Sequence, residues 1–185
     1  EYHKPDNASL LFPAVACSSD AHVFRISAQL SEPVQSELLQ TALEQVLPQF
    51  RAYNVRMRKA VYTSYFETNR DYPRARKDWA RPCRYLSCEN DDGFLFRVRY
   101  WGNEIHTETF HALTDGTGAL YFLKAPCYRY IQLAHAGNFT KEQAARWFGL
   151  EHAGNVRDGY AENYQPGKMR AHRRIKACRL TGKLR

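Results

Sequence analysis

The sequence predicts an α/β fold, in the form of an α+β two-layer sandwich with helices packed on a mostly antiparallel sheet. Some segments alternate apolar and polar residues as strands do, and others place apolar residues at the three- and four-residue spacing of helices. The 185 residues are 44% hydrophobic and 14% aromatic, which suffices for one domain with a core. Residues 1–150 are expected to form this lobe. Residues 151–185, where the hydrophobic pattern fades, are expected to form a basic extension or crossover segment.

The first strand and helix are predicted between residues 22 and 47. Residues 22–30 alternate apolar and polar side chains, as a half-buried strand does. Ser31 is a candidate N-cap and Pro33 suits a first helical turn, so the helix is expected to begin there. Its apolar face consists of six residues: Leu38, Leu39, Ala42, Leu43, Val46 and Leu47.

The remaining strands are predicted between residues 55 and 110. Residues 55–57 and 61–66 form two short strands around a basic turn, and residues 71–82, with their prolines and charges, are expected to be irregular. Residues 93–100 and 104–110 form a hairpin, because the Gly and Asn between them suit a tight turn. This hairpin ends at His111.

Two helices are predicted after the hairpin. Residues 117–136 have helical apolar spacing, although Pro126 is expected to kink or interrupt the helix. Thr140 with Gln143 three residues later is a capping pair, which predicts a further helix over residues 140–148.

The formal charge of +8 is concentrated in the last eighteen residues. Lys168 to Arg185 contain eight Lys and Arg and no acidic residue, so the remaining 19 basic residues balance the 19 acidic ones. Nucleic-acid binding by this segment is less favoured than a solvated linker, because no base-stacking aromatic platform accompanies the charge. No apolar run is long enough to predict a membrane span. The five scattered cysteines are typical of reduced thiols in a cytoplasmic protein.

A histidine followed by an Asp-Gly turn is the candidate for chemistry. The imidazole of His111 can take a proton from a nucleophile near neutral pH. Asp115 can brace the loop, and Gly116 permits backbone geometry that a larger residue would resist. Two structural alternatives stay open, namely a core histidine at position 111 and a helix N-cap at Asp115. No metal site is expected, since His106 and His111 point to opposite faces of a strand.

The pattern His111-x-x-x-Asp115-Gly116, between a hairpin strand and a helix, resembles the H-x-x-x-D-G signature of the chloramphenicol acetyltransferase and condensation-domain superfamily. The likeness spans about residues 5–150 and favours the bacterial alcohol acetyltransferase-type branch. Phe110 stands where condensation domains often carry a second histidine, so O- or N-acylation is favoured over peptide-bond formation. The superfamily's D-F-G-W-G element and C-terminal lobe have no counterpart in the sequence. A missing second lobe or a homo-oligomer partner is therefore expected to complete the site.

The resemblance implies an acyltransferase N-terminal lobe that moves an acyl group from a thioester to a small-molecule alcohol or amine. His111 would be the general base. Asp115 would pair with an arginine to shape the loop, with Arg25 the first candidate and Arg56 the second. The co-substrate would be an acyl-CoA or a phosphopantetheine-linked acyl group, with no tightly bound cofactor. The alternative is a non-catalytic binding or scaffolding lobe of the same fold.

Overall fold

The computed structural model describes residues 2–3, 7–59, 64–86, 91–140 and 142–143. Its strands and helices, in chain order, are β1 (Tyr2–His3), α1 (Asn7–Val15), β2 (Val23–Gln29), α2 (Ser36–Val46), β3 (Val55–Lys59), β4 (Ser64–Thr68), β5 (Ala75–Lys77), β6 (Phe96–Trp101), β7 (Glu104–Phe110) and α3 (Gly116–Ala134). Short 3-10 turns follow α2 and α3, at Leu47–Gln49 and Ala136–Asn138.

The main sheet has four strands in the order β2-β7-β6-β5, and only the pair β5 and β6 is parallel. The hairpin of β6 and β7 turns at Gly102, which adopts a φ of 54° that favours glycine. A second, three-stranded antiparallel sheet has the order β1-β4-β3. The predicted hairpin and the mostly antiparallel sheet are confirmed.

The core lies between the main sheet and the helices α2 and α3. Side chains alternate between the two faces of a strand, so Ile26 and Ala28 of β2 share the face that carries Val98 and Ile105. Helix α2 buries the side chains Leu39, Ala42, Leu43 and Val46 against this face. The predicted apolar face of α2 and the packing of helices on one sheet are therefore confirmed.

The start of α2 differs from the prediction. The helix begins at Ser36 with Gln35 as its cap residue, so the expected start at Ser31 and Pro33 is wrong. The preceding residues are held instead by the β6–β7 turn, whose carbonyl oxygens accept hydrogen bonds from the Leu30 and Val34 N–H groups at 2.8 and 2.9 Å. Those bonds hold the segment, which bends at residues 31 and 32, outside the helix.

Strand β5 lies inside the segment 71–82 that was expected to be irregular, so that prediction is wrong at residues 75–77. The strand lies beside β6 in parallel register, with Arg76 opposite Arg99. Its position also depends on α2, because the Gln40 side chain accepts a hydrogen bond from the Ala75 N–H at 2.8 Å. A three-residue strand with two charged residues shows no alternation that a sequence pattern could reveal.

Helix α3 runs continuously through the buried Pro126, so of the expected kink or interruption the interruption is wrong. The capping pair is confirmed. The Gln143 N–H donates to the Thr140 hydroxyl at 3.2 Å, and the Thr140 N–H donates to the Gln143 side chain at 3.0 Å. The rest of that predicted helix and the basic segment 151–185 lie outside the described residues. None of the helices in the described ranges has the length and apolarity to cross a membrane.

Candidate functional site

His111 is the first residue after the central strand β7, and its side chain is exposed. Its backbone N–H donates a hydrogen bond to the carbonyl oxygen of His22 at 2.9 Å. His22 lies just before β2 and adopts a φ of 48°, an uncommon conformation that histidine adopts more readily than most residues. The exposed side chain excludes the alternative of a buried core histidine at position 111.

Two phenylalanines hold the His111 ring. Phe12 of α1 stacks on it with ring centroids 4.6 Å apart and an angle of 10° between the planes. Phe24 of β2 contacts it in a tilted arrangement at 5.1 Å. Within the described residues, neither ring nitrogen takes part in a hydrogen bond or ion pair. The imidazole is therefore oriented by aromatic contact, while its nitrogens stay available to exchange a proton.

Sequence reasoning missed both aromatic contacts. Phe24 lies in the predicted first strand, and its register partner Thr109 is two residues before His111. That proximity could have been inferred only by assuming that the first strand pairs with the hairpin. Phe12 carries no such signal, because α1 lies far from His111 in sequence.

Asp115 is the N-cap of α3. Its side-chain oxygen accepts a hydrogen bond from the Gly118 N–H at 2.8 Å, and its carbonyl oxygen accepts one from the Ala119 N–H at 3.0 Å. The capping interpretation of Asp115 is therefore confirmed. In this way Asp115 fixes the end of the loop that begins at His111, with no contact to the imidazole itself.

The important glycine of the loop is Gly118 and not Gly116. Gly116 has an ordinary backbone conformation and open space where a side chain would lie, so the expected need for its freedom is wrong. A methyl group on Gly118 would overlap the Thr114 hydroxyl and would lie 3.4 Å from the Asp115 side-chain oxygen. The Thr114 and Asp115 side chains of the loop therefore pack against Gly118, where a larger residue would not fit.

Neither predicted arginine partner contacts Asp115. Arg25 forms ion pairs with Asp78 and Glu108, both at 2.6 Å, and Arg56 pairs with Glu67. The expected pairing with Asp115 is therefore wrong for both arginines. Arg25 follows Phe24 on β2 and so points to the opposite face of the sheet, away from α3.

That opposite face carries a buried cluster of charges. Glu108 accepts hydrogen bonds from Arg25 and from the Cys83 N–H, and it lies 2.7 Å from Arg97. Burial acts against the charged form of Arg25, but the hydrogen bonds to Asp78 and Glu108 outweigh it and raise the pKa of the guanidinium. Asp78 shows the same balance, since burial opposes its charge and the Arg25 hydrogen bond nonetheless lowers the pKa of its carboxyl.

His106 belongs to this charged face and not to the candidate site. Its Nδ1 atom lies 2.8 Å from the Ser27 hydroxyl, and its Nε2 atom lies 3.6 Å from Glu104. Burial, and after it the positive charge of Arg25, lowers the pKa of the His106 imidazole. His106 thus lies on the side of the sheet away from His111, in surroundings that favour the neutral imidazole.

No protein-family model and no curated protein matches the chain. Several solved structures are similar. The starter condensation domain of the rhizomide synthetase RzmA, in a variant bound to C8-CoA, matches with a TM-score of 0.60 and 12% identity, over 73% of this chain and 36% of that one. The tallysomycin biosynthesis protein TlmII has a TM-score of 0.56 and 14% identity, over 71% and 38%. The condensation domain of the Monacolin K polyketide synthase MokA has a TM-score of 0.52 and 12% identity, over 77% and 36%.

The matched region therefore spans well under half the length of these proteins. Identities this low establish a common fold and leave the activity open. The resemblance predicted from the H-x-x-x-D-G pattern is confirmed at the level of the fold. The chain shares the fold of part of the condensation domains of RzmA and MokA.

Proposed function

We propose that the chain is one lobe of an acyltransferase that moves an acyl group from a thioester to an alcohol or amine, with His111 as general base. The observation that carries this proposal is the exposed His111 imidazole at the end of β7, in a fold shared with condensation domains. An exposed histidine at a strand end has the proton affinity and the access that this chemistry requires.

The proposed reaction needs one proton carrier. His111 takes the proton of the acceptor O–H or N–H as the acceptor attacks the thioester carbonyl carbon. The resulting tetrahedral intermediate collapses with cleavage of the C–S bond, and the imidazolium returns the proton to the leaving thiolate. Phe12 and Phe24 keep the ring in one orientation during both transfers. Asp115 is a positioning residue, because it acts through the loop that it fixes to α3.

An acyl-CoA is the proposed donor, and a phosphopantetheine-linked acyl group is the second option. The complex of the similar rhizomide synthetase domain with C8-CoA supports a CoA thioester. Because the chain spans only part of the condensation domains that it resembles, a second lobe or a second copy of the chain is proposed to complete the site. An alcohol acceptor, a bacterial source and a cytoplasmic location remain predictions from the sequence.

The test measures acyl transfer by the complete protein, in which the chain is joined by the second lobe or second copy that completes the site. Acetyl-CoA and octanoyl-CoA are offered with a panel of alcohols and amines, and release of the CoA thiol is followed. We expect His111→Ala to lower the rate by about a hundredfold or more, the usual contribution of a general base. The matched control is His135→Ala, which removes a half-exposed imidazole beside Glu32 at the far end of α3. Turnover in His111→Ala above a tenth of wild type would eliminate the base role.

The alternative function is a non-catalytic binding or scaffolding lobe. The match covers only 36–38% of the length of the similar proteins, and this favours the non-catalytic alternative. A single lobe without a partner would form only one wall of a channel between two lobes. This alternative predicts no transfer and no CoA binding at millimolar concentration. Transfer of an acyl group by the wild-type chain, abolished in His111→Ala, would exclude it.

A further inference from the structure

We propose that the face of the main sheet opposite His111 holds a binding site for a phosphate group, centred on Arg99. The site combines a buried arginine that makes no direct hydrogen bond or ion pair with the described residues, a narrow cleft that this arginine lines, and a wider arginine-rich cavity that adjoins the cleft.

Arg99 is a buried charge with no direct ion pair among the described residues, although the carboxylates of Asp91, Glu108 and Asp78 interact with it at longer range. Its side chain is only 7% exposed. Among the described residues, no acceptor lies within hydrogen-bonding or ion-pair distance of its guanidinium. Burial of an unpaired charge is costly, and proteins normally offset the cost with a partner of opposite charge. The proposed phosphate would supply this partner.

The surroundings of Arg99 increase the need for an anion. Its neighbours across the sheet are Arg76 on β5 and His106 on β7, and Arg97 lies two residues away on the same face. Burial, followed by the positive charge of Arg97, lowers the pKa of the Arg99 guanidinium. An anion bound at this point would interact with several positive groups at once.

Arg99 lines a narrow cleft with about 10 Å³ of room, which suits one water-sized group. Next to it is a cavity of about 540 Å³, and Arg74 and Asp92 belong to the walls of both. The wider cavity is also lined by Arg56, Arg58 and Arg70. A ligand that filled the cavity could therefore place one small group in the cleft against Arg99.

Positive charge exceeds negative charge in this region. Seven arginines and three aspartates line the cleft and cavity. Two of the aspartates already serve protein partners, since Asp91 contacts Arg97 at 3.4 Å and Asp92 contacts Arg76 at 3.2 Å. Glu67 contacts two more of the arginines, Arg56 and Arg58, and Glu108 is a second partner of Arg97. Among these described residues an excess of two positive charges remains after both glutamates are counted. Arg99 contributes one of these.

A phosphate group fits these features better than a carboxylate does. Its oxygens form a compact, doubly charged acceptor that several guanidinium groups can contact together. One phosphate oxygen has about the size of the water molecule that the cleft admits. The phosphorus and the remaining oxygens would then lie in the wider cavity near Arg74.

The proposed phosphate site is separate from the candidate catalytic site. Arg99 lies opposite His106, five residues before His111, which corresponds to about 17 Å along β7. The His111 ring contacts Phe24 on the helix side of β2, whereas Arg99 faces the other side of the sheet. The phosphate site therefore does not depend on the proposed function, and His111→Ala should bind phosphate as wild type does.

The test measures the thermal unfolding midpoint in inorganic phosphate and in sodium chloride of equal ionic strength. We expect phosphate at ten times its dissociation constant to raise the midpoint of the wild-type chain by roughly 3–6 °C. Arg99→Met should abolish this increase, and Arg74→Met, at the exposed wall shared by the cleft and cavity, should weaken it. Because Arg74 is exposed, its replacement tests the site even if Arg99→Met fails to fold.

The matched control is Arg129→Met, which removes the same charge from α3 on the helix side of the sheet. It should retain the full increase. Equal phosphate-induced shifts in wild type, Arg99→Met and Arg74→Met would overturn the proposal, as would equal effects of phosphate and chloride on the wild type.

Two further measurements identify the source of the phosphate group. CoA ends in a 3′-phosphate that dephospho-CoA lacks, and both are compared at equal ionic strength. A larger increase with CoA, absent in Arg99→Met, would assign the site to that phosphate. An Arg99-dependent increase with inorganic phosphate alone would assign it to the free anion. If none of the three compounds gives an Arg99-dependent increase, no phosphate site exists there.

Discussion

Gly118 controls the loop that connects His111 to α3. The Asp115 side chain caps the helix through the Gly118 N–H, and the Thr114 side chain occupies the space beside the Gly118 Cα atom. Only glycine leaves room for both side chains, because a methyl group at this position would meet them together. The cap is worth about 1 kcal/mol in typical proteins, so displacing it is measurable.

We predict that Gly118→Ala lowers the free energy of unfolding by about 1–3 kcal/mol, since the added methyl group overlaps the Thr114 hydroxyl and forces that side chain to move beside the capping Asp115. Gly116→Ala is the matched control. Its methyl group meets no atom, so its stability should stay near that of wild type. Urea unfolding followed by circular dichroism measures both values. A loss in Gly116→Ala as large as that in Gly118→Ala would contradict this account of the loop.

The sequence identified His111 and Asp115 because their spacing and their position after a hairpin are visible in one dimension. It did not identify Phe12 or Gly118. The contact of Phe12 with the imidazole depends on how α1 packs, and the requirement for Gly118 depends on the rotamer of Thr114. Local pattern therefore located the candidate base, whereas the contacts that hold it depend on tertiary structure.

Strand β7 separates two chemical environments. Side chains on its helix side, such as Ile105, join the hydrophobic core. On the other side, Glu108 connects Arg25 and Arg97 at the centre of the charge cluster. Because all three side chains are largely buried, the loss of one leaves charges that water cannot reach well.

We predict that Glu108→Ala lowers the free energy of unfolding by about 3–5 kcal/mol, as is typical when one partner of a buried ion pair is removed. Glu67→Ala is the matched control, since Glu67 also contacts two arginines, Arg56 and Arg58, but is more exposed. Its effect should be much smaller, because water screens exposed ion pairs. Chemical unfolding gives both values, and similar losses in the two variants would refute the distinction.

Elements whose apolar residues recur with a clear period were predicted well. Elements whose position depends on hydrogen bonds to other parts of the chain were not. The face of α2 with Leu39 and Leu43 followed from spacing alone. The start of α2 did not, since hydrogen bonds to the β6–β7 turn hold the residues that precede it. The three residues of β5 were missed because their pairing depends on β6 and on Gln40 of α2.

At the scale of the whole molecule, the charged face should make folding sensitive to acid. Burial, then Arg25, lowers the pKa of His106 in the folded state. In the unfolded chain the imidazole keeps its ordinary pKa of 6.5 and takes up a proton as the pH falls below that value. The folded chain binds this proton less readily, so stability falls as the pH decreases. Asp78 acts in the same direction at lower pH. The pKa of its carboxyl is lowered in the fold, so its contribution is lost as the pH falls through that lowered value.

We predict that the unfolding midpoint of the wild-type chain falls between pH 7.5 and pH 5.5, and that His106→Gln reduces this fall. The reason is that glutamine cannot take up the proton that imidazole binds in the unfolded state. The matched control His135→Gln, at the half-exposed end of α3, should keep the His106-dependent fall. Thermal unfolding at several pH values measures the effect. An unchanged slope in His106→Gln would show that other groups cause the acid sensitivity.

The fold class, the sheet-and-helix packing and the likeness to the condensation-domain fold were all predictable at this scale. The charged side of the sheet was not, because Arg25, Arg97 and Arg99 resemble ordinary exposed charges in the sequence. Only the strand register and the packing of the folded chain reveal that they are largely buried. Their importance for stability and for the proposed phosphate site therefore became visible only in three dimensions.

The central place of β7 has a kinetic consequence. It is hydrogen-bonded on both sides, to β2 and to β6, whereas β5 pairs with β6 alone among the described strands. Amide protons exchange with deuterium only when their hydrogen bonds open. A central strand, which pairs with a neighbour on each side, opens less often than an edge strand. We expect the β7 amides to be among the last to exchange, and those of β5 to exchange earlier. The candidate base would then be anchored to the part of the protein that opens most slowly.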